Sequence, residues 1–118
     1  MTVFAFGALL AALGVGLGAF GAHALSGLPP HALAWWHTAT QYLFVAAFGM
    51  MLAKLADRGN TFLRSPAVAL LAGAVFFSGS LYVMALGGPR RLGIITPVGG
   101  LGLILGFLWL AFRAWRRH

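Results

Sequence analysis

The chain contains no cysteine and a single acidic residue, Asp57, among its 118 residues. The absence of cysteine excludes disulfides, thiolate metal sites, cysteine nucleophiles and thiol redox chemistry. Because Asp57 lies in a basic connection outside the apolar runs, paired carboxylates, an Asp-supported triad and an acid-based proton relay are also excluded. We therefore expect that the protein is not an enzyme and that it uses no cofactor.

Charged residues of either sign are scarce, at 8% of the chain against 61% hydrophobic residues. A soluble domain carries roughly a quarter charged residues. Small chains bury the smallest fraction of their surface, so this much apolar surface cannot be hidden inside one small domain. Disordered chains, in turn, are poor in apolar residues. The composition therefore predicts an integral membrane protein.

Four apolar runs are each long enough to span a bilayer, which takes about 20 helical residues. We predict a single domain with helices over about 3–25, 35–55, 66–86 and 94–112. The connections are short, so consecutive helices should be antiparallel neighbours. Barrel strands would alternate in roughly 10-residue segments, and these runs do not. The predicted fold class is an all-α, four-helix transmembrane bundle with up-down-up-down topology.

Basic residues are divided unequally between the two ends of this predicted bundle. Arg90 and Arg91 lie at one end, and the other end carries Lys54, Arg58, Arg64, Arg113, Arg116 and Arg117. The positive-inside rule then predicts both termini in the cytoplasm, with the protein in the bacterial cytoplasmic (inner) membrane. Topology and anionic headgroups account for the basic excess, so we expect membrane lipids as partners and no nucleic acid.

Small residues form ridges on two of the predicted helices. Gly14 and Gly18 lie opposite the large side chains of the first helix, and Gly99, Gly102 and Gly106 form a similar ridge on the fourth. Helices in lipid pack through small residues because these let the backbones approach closely. We predict close contact between at least one ridge and another helix. Packing within one protomer is the favoured interpretation, and homo-oligomerisation is the alternative.

Polar residues gather near one end of the spans, the outer end in the predicted topology. The candidates for a binding site are His23, Gln41, Tyr42, Ser78, Ser80, Tyr82 and Thr96, with Arg90 at the rim. A polar group in hydrocarbon must find a partner, and i, i+4 spacing places His37 with Gln41 and Ser78 with Tyr82 on shared faces. Two interpretations stay open: a hydrogen-bond network that fixes packing, or a shallow polar pocket for a lipid or quinone.

Three histidines, His23, His31 and His37, share this outer side, and imidazole is a common metal ligand. Their spacing includes no tight pair such as His-x-x-x-His, so we predict no metal site. A dyad of His23 with Ser78 or Ser80 is a similarly weak hypothesis. The midplane of the spans carries no charged residue of the kind that couples transport. A small transporter or channel-forming subunit acting as an oligomer is the alternative function.

Four motifs occur in order along the chain: Leu17-Gly18-Ala19-Phe20-Gly21-Ala22-His23, Thr40-Gln41-Tyr42, Phe77-Ser78-Gly79-Ser80-Leu81-Tyr82, and Thr96-Pro97-Val98-Gly99-Gly100 with Arg90 upstream. Together they resemble the domain-of-unknown-function 423 family, which includes YgdD-like bacterial proteins and the eukaryotic transmembrane protein 256 group. The resemblance covers essentially the whole chain and implies a four-helix membrane protein without assigned biochemistry. One position departs from the family pattern, which has His four residues after the Tyr, where this chain has Ala46. If that His forms a site with His23 in relatives, half of the site is absent here.

The function that these residues favour is that of a small membrane protein with a structural or assembly role. It would act as a homo-oligomer or within a larger membrane complex. Binding of a lipid-like molecule through the outer polar cluster is the other form of the same hypothesis.

Overall fold

A computed structural model describes residues 2–56 and 66–116 of the chain. They form four long α-helices, α1 (Val3–His23), α2 (Pro30–Ala56), α3 (Pro66–Ala85) and α4 (Ile95–Arg116), with a short 3-10 helix, Arg90–Ile94, leading into α4. All four are long and apolar enough to cross a membrane, and the described ranges contain no strand. The predicted all-α four-helix architecture is confirmed. Asp57, Arg58, Arg64 and Arg117, which enter the charge argument, lie outside the described residues.

The helices begin where the sequence supplies a cap or a proline. The Thr2 side chain accepts a hydrogen bond from the Ala5 N–H (3.1 Å) and so caps α1. α2 begins at Pro30, earlier than the predicted start near residue 35. Proline fits the first helical turn because its φ is already helical and its missing N–H would have no partner there. The run Pro29-Pro30 therefore starts the helix before its strongly apolar part.

The other helix ends differ from the predicted ones for equally local reasons. α3 stops at Ala85 because Gly87 adopts φ +100, and the Gly88 N–H donates to the Val83 carbonyl (2.8 Å), which closes the helix in a Schellman turn. α4 continues to Arg116, past the predicted end near 112. Its last turns are supported by arginine stems lying over aromatic rings one turn earlier, with the Arg113 guanidinium 5.2 Å from the centre of the Trp109 ring.

The helices pack in chain order: α1 on α2, α2 on α3, and α3 on α4, with slight contact between α2 and α4. α2 and α3 are therefore central, and α1 and α4 flank them. The only buried residues of α1 are Gly7, Gly14 and Gly21, and those of α4 are Gly99, Leu103 and Gly106. The flanking helices expose most of their apolar surface, as helices bordering lipid can.

Glycine sets the distance between α1 and α2. A Cβ built at Gly14 would lie 2.9 Å from the Phe44 ring, and one built at Gly21 would collide with the Trp36 indole. Gly18 also faces α2, where its Cβ would be 3.6 Å from Thr40. The face that α1 buries thus follows every seventh residue from Gly7 through Gly14 to Gly21, with Gly18 beside it.

The contact between α3 and α4 brings two backbones together. A Cβ at Gly73 would lie 2.6 Å from the Leu103 nitrogen and 2.8 Å from the Gly99 carbonyl oxygen. Gly102 and Gly106 continue the ridge, against Gly73 and Leu70 respectively. The predicted ridge on the fourth helix therefore packs within the protomer, against α3.

A seven-residue repeat defines the buried face of α2. The apolar residues at alternating spacings of four and three are all buried: Ala32, Trp36, Ala39, Leu43, Ala46, Met50 and Ala53. Ala46, Met50 and Ala53 join Ala67, Leu70, Ala74 and Leu103 in an apolar core. This core fills the half of the bundle that contains the α2 C-terminus, and the polar side chains lie in the other half.

Replacement of Gly73 by Ala should destabilise the bundle, because the new methyl group meets backbone atoms of α4 that cannot rotate away. Overpacking of this kind typically lowers the free energy of unfolding by about 1 to 3 kcal/mol. Gly79→Ala is the matched control on α3, since a Cβ there meets nothing within 4 Å. The free energies of unfolding of both variants are measured in mixed micelles. Equal stability of the two variants would contradict the close approach of α3 and α4.

Candidate functional site

The polar side chains between the helices form a polar network near one end of the bundle. We call this end, where residues 24–29 and 86–94 connect the helices, the Arg90 end. The network consists of Trp36 and Thr40 on α2, Ser78, Ser80 and Tyr82 on α3, and Thr96 on α4. Its location in one half of the bundle is the location expected for the polar cluster.

One branch of the network connects α1, α2 and α3. The Trp36 indole N–H donates to the Leu17 carbonyl (2.7 Å), and the Thr40 hydroxyl donates to the Trp36 carbonyl (3.0 Å). The Tyr82 hydroxyl lies 2.6 Å from the Thr40 oxygen. Because Thr40 has one hydroxyl proton and directs it to Trp36, Tyr82 must be the donor in this bond. The Trp36 and Tyr82 rings also meet edge to face, with centroids 4.5 Å apart.

The second branch connects α3 with α2 and α4. The Ser78 hydroxyl donates to the Ala39 carbonyl (2.7 Å). Ser80 donates to the Phe77 carbonyl (3.0 Å), so the Thr96 hydroxyl, 2.6 Å away, is the donor in the bond with Ser80. At least one side-chain hydrogen bond therefore crosses each interface between consecutive helices.

The network leaves no buried polar atom without a partner. Across the described residues, every buried side-chain nitrogen and oxygen has a hydrogen-bond partner. A polar pocket for a ligand would instead direct donors or acceptors into an open space. The geometry of these side chains thus fits a packing network better than a polar pocket.

Several predicted candidates lie outside the network. His23, His37 and Gln41 are exposed, and Tyr42 is 38% exposed, with its ring against Phe77 (centroids 4.9 Å apart). His37 and Gln41 share a face, as their spacing requires. This face is exposed because the seven-residue repeat of α2 buries a different face. Exposed His31 contacts the Trp35 ring (5.1 Å), and no three His, Asp or Glu side chains in the described ranges are grouped to hold a metal.

Two members of the network, Trp36 and Thr40, are absent from the sequence-based candidates. Trp36 is only 3% exposed, and Thr40 is 7% exposed. The signal that would have identified them is the heptad spacing of α2, because Trp36 occupies a repeat position and Thr40 follows it by one helical turn. Tryptophan near the end of a span is ordinarily assigned to the membrane interface, which conceals this role.

The Ala46 position and His23 lie in different surroundings. Ala46 is fully buried in the apolar core with Met50 and Leu70. His23 is exposed at the last residue of α1. The structure therefore does not join these two positions in one site.

Among the described residues, two apolar grooves open on the sides of the bundle. The larger has a volume of about 520 Å³ and lies where α2 and α4 both pack on α3; we call it the α2–α4 groove, lined by Tyr42, Val45, Phe77, Gly100, Leu103, Ile104, Phe107 and Leu108. The smaller, about 270 Å³, lies between α1 and α3. Ser78 and Tyr82 border the smaller groove, but their hydroxyls are directed to Ala39 and Thr40.

Loss of the Tyr82 hydroxyl should lower stability, because it removes a hydrogen bond between α2 and α3. Interhelical hydrogen bonds in membrane proteins contribute about 0.6 kcal/mol on average and at most about 1.7 kcal/mol. We expect a decrease within this range for Tyr82→Phe, measured as the free energy of unfolding in mixed micelles. Tyr42→Phe is the matched control, since no described residue bonds its hydroxyl. A larger loss for Tyr42→Phe would contradict the network.

The comparisons with known proteins agree with this architecture. The family described as "Protein of unknown function (DUF423)" matches residues 17–100. The UPF0382 membrane protein YwdK of Bacillus subtilis is 42% identical over 112 residues, covering 92% of this chain and 91% of that protein. A UPF0382 membrane protein of Haemophilus influenzae is 38% identical over 104 residues, covering 86% and 84%.

The likeness extends to a eukaryotic relative. A UPF0382 membrane protein of Schizosaccharomyces pombe is 36% identical over 115 residues, covering 91% of this chain and 96% of that protein. No solved structure matches the chain. With four apolar helices of membrane-spanning length, a family match over most of its residues and relatives named as membrane proteins, the chain belongs to the DUF423 (UPF0382) family of small membrane proteins of unknown function.

Proposed function

We propose that the protein is a structural or assembly component of the bacterial cytoplasmic membrane that associates with other membrane helices through α1. The observation that supports an assembly role is the complete pairing of the polar network. Its hydroxyls and indole form hydrogen bonds that link neighbouring helices, so they support a fixed arrangement of the four helices, and none of these groups is left without a partner for a substrate to bond.

A stripe of small residues on α1 supports association through that helix. Ala5, Ala8, Ala12, Gly16 and Ala19 are all exposed. They recur at spacings of three and four and therefore occupy one face, opposite the glycines that contact α2. Small residues at this spacing are typical of helix–helix interfaces in membranes, where close backbone approach provides the attraction. We call this face the α1 stripe.

Transport is not proposed. The two described grooves are apolar and open sideways, towards the lipid, and such grooves do not conduct ions or polar solutes. The assembly hypothesis therefore has the stronger support.

Gly16→Leu tests the assembly role. A Cβ at Gly16 meets nothing within 4 Å of the protomer, so the fold should tolerate the larger side chain. In an assembly it would separate the two helices, and overpacking of about 1 to 3 kcal/mol corresponds to association at least about five-fold weaker. Single-molecule photobleaching in lipid vesicles counts the protomers per complex. Val15→Leu is the matched control, since Val15 is 63% exposed and adjacent.

Two results would contradict the assembly role. One is a wild-type protein that is monomeric in vesicles and in its own membrane. The other is a small molecule that survives gentle solubilisation and native mass spectrometry, and that Tyr82→Phe releases while Tyr42→Phe retains it. The second result would make the polar network a binding site.

We also propose that both termini face the cytoplasm, which places the Arg90 end outside. The unequal distribution of basic residues supports this orientation. Because the chain has no cysteine, single cysteines at Ser26 and Gly59 can be labelled in intact cells with a membrane-impermeant maleimide. We expect labelling at Ser26, which is exposed at the Arg90 end, and none at Gly59, which lies outside the described residues. The reverse pattern would show the opposite orientation.

A further inference from the structure

We propose that the Arg90 end binds an anionic phospholipid, with the phosphate on Arg90 and Arg91 and one acyl chain in the α2–α4 groove. This site goes beyond the assembly role and does not depend on it. It also differs from the polar network, whose side chains are already bonded within the protein.

The charge at the Arg90 end is complementary to a phosphate group. Arg90 and Arg91 are both exposed at the start of the 3-10 helix. Residues 24–29 and 86–94 contain no acid, and the single acid of the chain, Asp57, follows the opposite end of α2. Two exposed arginines are therefore available to a phosphate at this end, and residues 24–29 and 86–94 supply no carboxylate to compete for them.

Trp35 lies beside the Arg90 side chain. The guanidinium carbon of Arg90 lies 6.0 Å from the centre of the Trp35 ring, and the His31 and Trp35 rings meet edge to face with centroids 5.1 Å apart. Trp35 is itself half-buried against Ala39, Leu81 and Met84. A guanidinium near an indole face is attracted by the ring and retains N–H donors that can bond an anion.

The same aromatic residues lead from Arg90 to the groove. Phe77 packs on the Ala39, Leu81 and Met84 cluster that supports Trp35, and it also lines the α2–α4 groove. Tyr42, at the near end of the groove, follows Trp35 by seven residues and so lies on the same face of α2, about 10 Å further along the axis. In a hydrocarbon core about 30 Å thick, this is acyl-chain depth for a lipid whose headgroup is level with Arg90.

The groove itself suits an acyl chain. Its volume is about 520 Å³, and Tyr42 contributes the one polar side chain among its lining residues. A Cβ built at Gly100 would lie 3.4 Å from the Phe77 ring, so a larger side chain there would occupy part of the groove. A free phosphate ion would use the arginines alone, but a phospholipid uses the arginines and the groove together.

Titration of the purified protein with phosphatidylglycerol or phosphatidylcholine of identical acyl chains, followed by native mass spectrometry, tests the site. We expect tighter binding of phosphatidylglycerol. Arg90→Gln should weaken it about five-fold, and addition of Arg91→Gln should weaken it by a similar factor again, as expected for each basic residue facing an anionic lipid. The binding of phosphatidylcholine should change little in these arginine variants. Arg116→Gln, at the opposite end, is the charge-matched control.

A second pair of variants tests the groove. Val45→Trp should fill the groove and weaken the binding of both lipids. Val98→Trp, at an exposed α4 position outside the groove lining, should leave the binding of both lipids unchanged. Unchanged phosphatidylglycerol binding in the double arginine variant would overturn the proposal. So would full competition by inorganic phosphate together with normal binding by Val45→Trp, because that pair of results describes a free-anion site.

Discussion

A hydroxyl or an indole N–H within hydrocarbon has no water to bond, and this constraint determines how the polar half of the bundle is built. Each of its hydrogen bonds ends on a neighbouring helix or on the backbone one turn away. Tyr82 reaches Thr40, Thr40 reaches the Trp36 carbonyl, and Trp36 reaches the Leu17 carbonyl on α1. This series of short hydrogen bonds fixes the positions of α1, α2 and α3 relative to one another, and each bond needs its donor to point in one direction.

Such bonds form only if the backbones of neighbouring helices are close together, and glycine residues at the contacts allow this close approach. Trp36 reaches the Leu17 carbonyl because Gly21, one turn later on α1, has no side chain where the indole lies. Ser80 and Thr96 meet because α3 and α4 approach closely where Gly73 contacts Gly99, and Gly99 follows Thr96 by only three residues. In lipid, where apolar burial gives little attraction between helices, small residues and interhelical hydrogen bonds supply the attraction that a soluble bundle gains from burying apolar surface.

The sequence determines the fold more fully than it determines the site. Four long apolar runs leave only membrane-spanning helices, and the spacing of polar residues places them in one half of the bundle. Spacing of i, i+4 shows that His37 and Gln41 share a face, but not whether that face is buried. The seven-residue repeat through Ala32, Trp36 and Ala39 shows which face is buried. It includes Trp36, and Thr40, one helical turn after Trp36, lies beside this face and is buried too. The Thr40–Tyr82 and Ser80–Thr96 pairs depend on the rotation of each helix, which one-dimensional spacing does not contain.

Because every buried polar side chain of the described residues is hydrogen-bonded inside the bundle, a ligand or a partner is more easily bound at the surfaces of the bundle. A side chain already bonded in hydrocarbon cannot be recruited by a ligand unless the ligand replaces the lost bond, and a lipid tail has no group to do so. The two surfaces proposed for binding are the α1 stripe and the α2–α4 groove. α1 packs on α2, whereas the groove lies over α3 between α2 and α4, so neither surface includes residues of the other. The proposed association through α1 would therefore leave the groove open to the bilayer, and the proposed lipid at Arg90 would not block that association. The two proposed contacts are therefore compatible on one protomer, because the buried polar network takes part in neither of them.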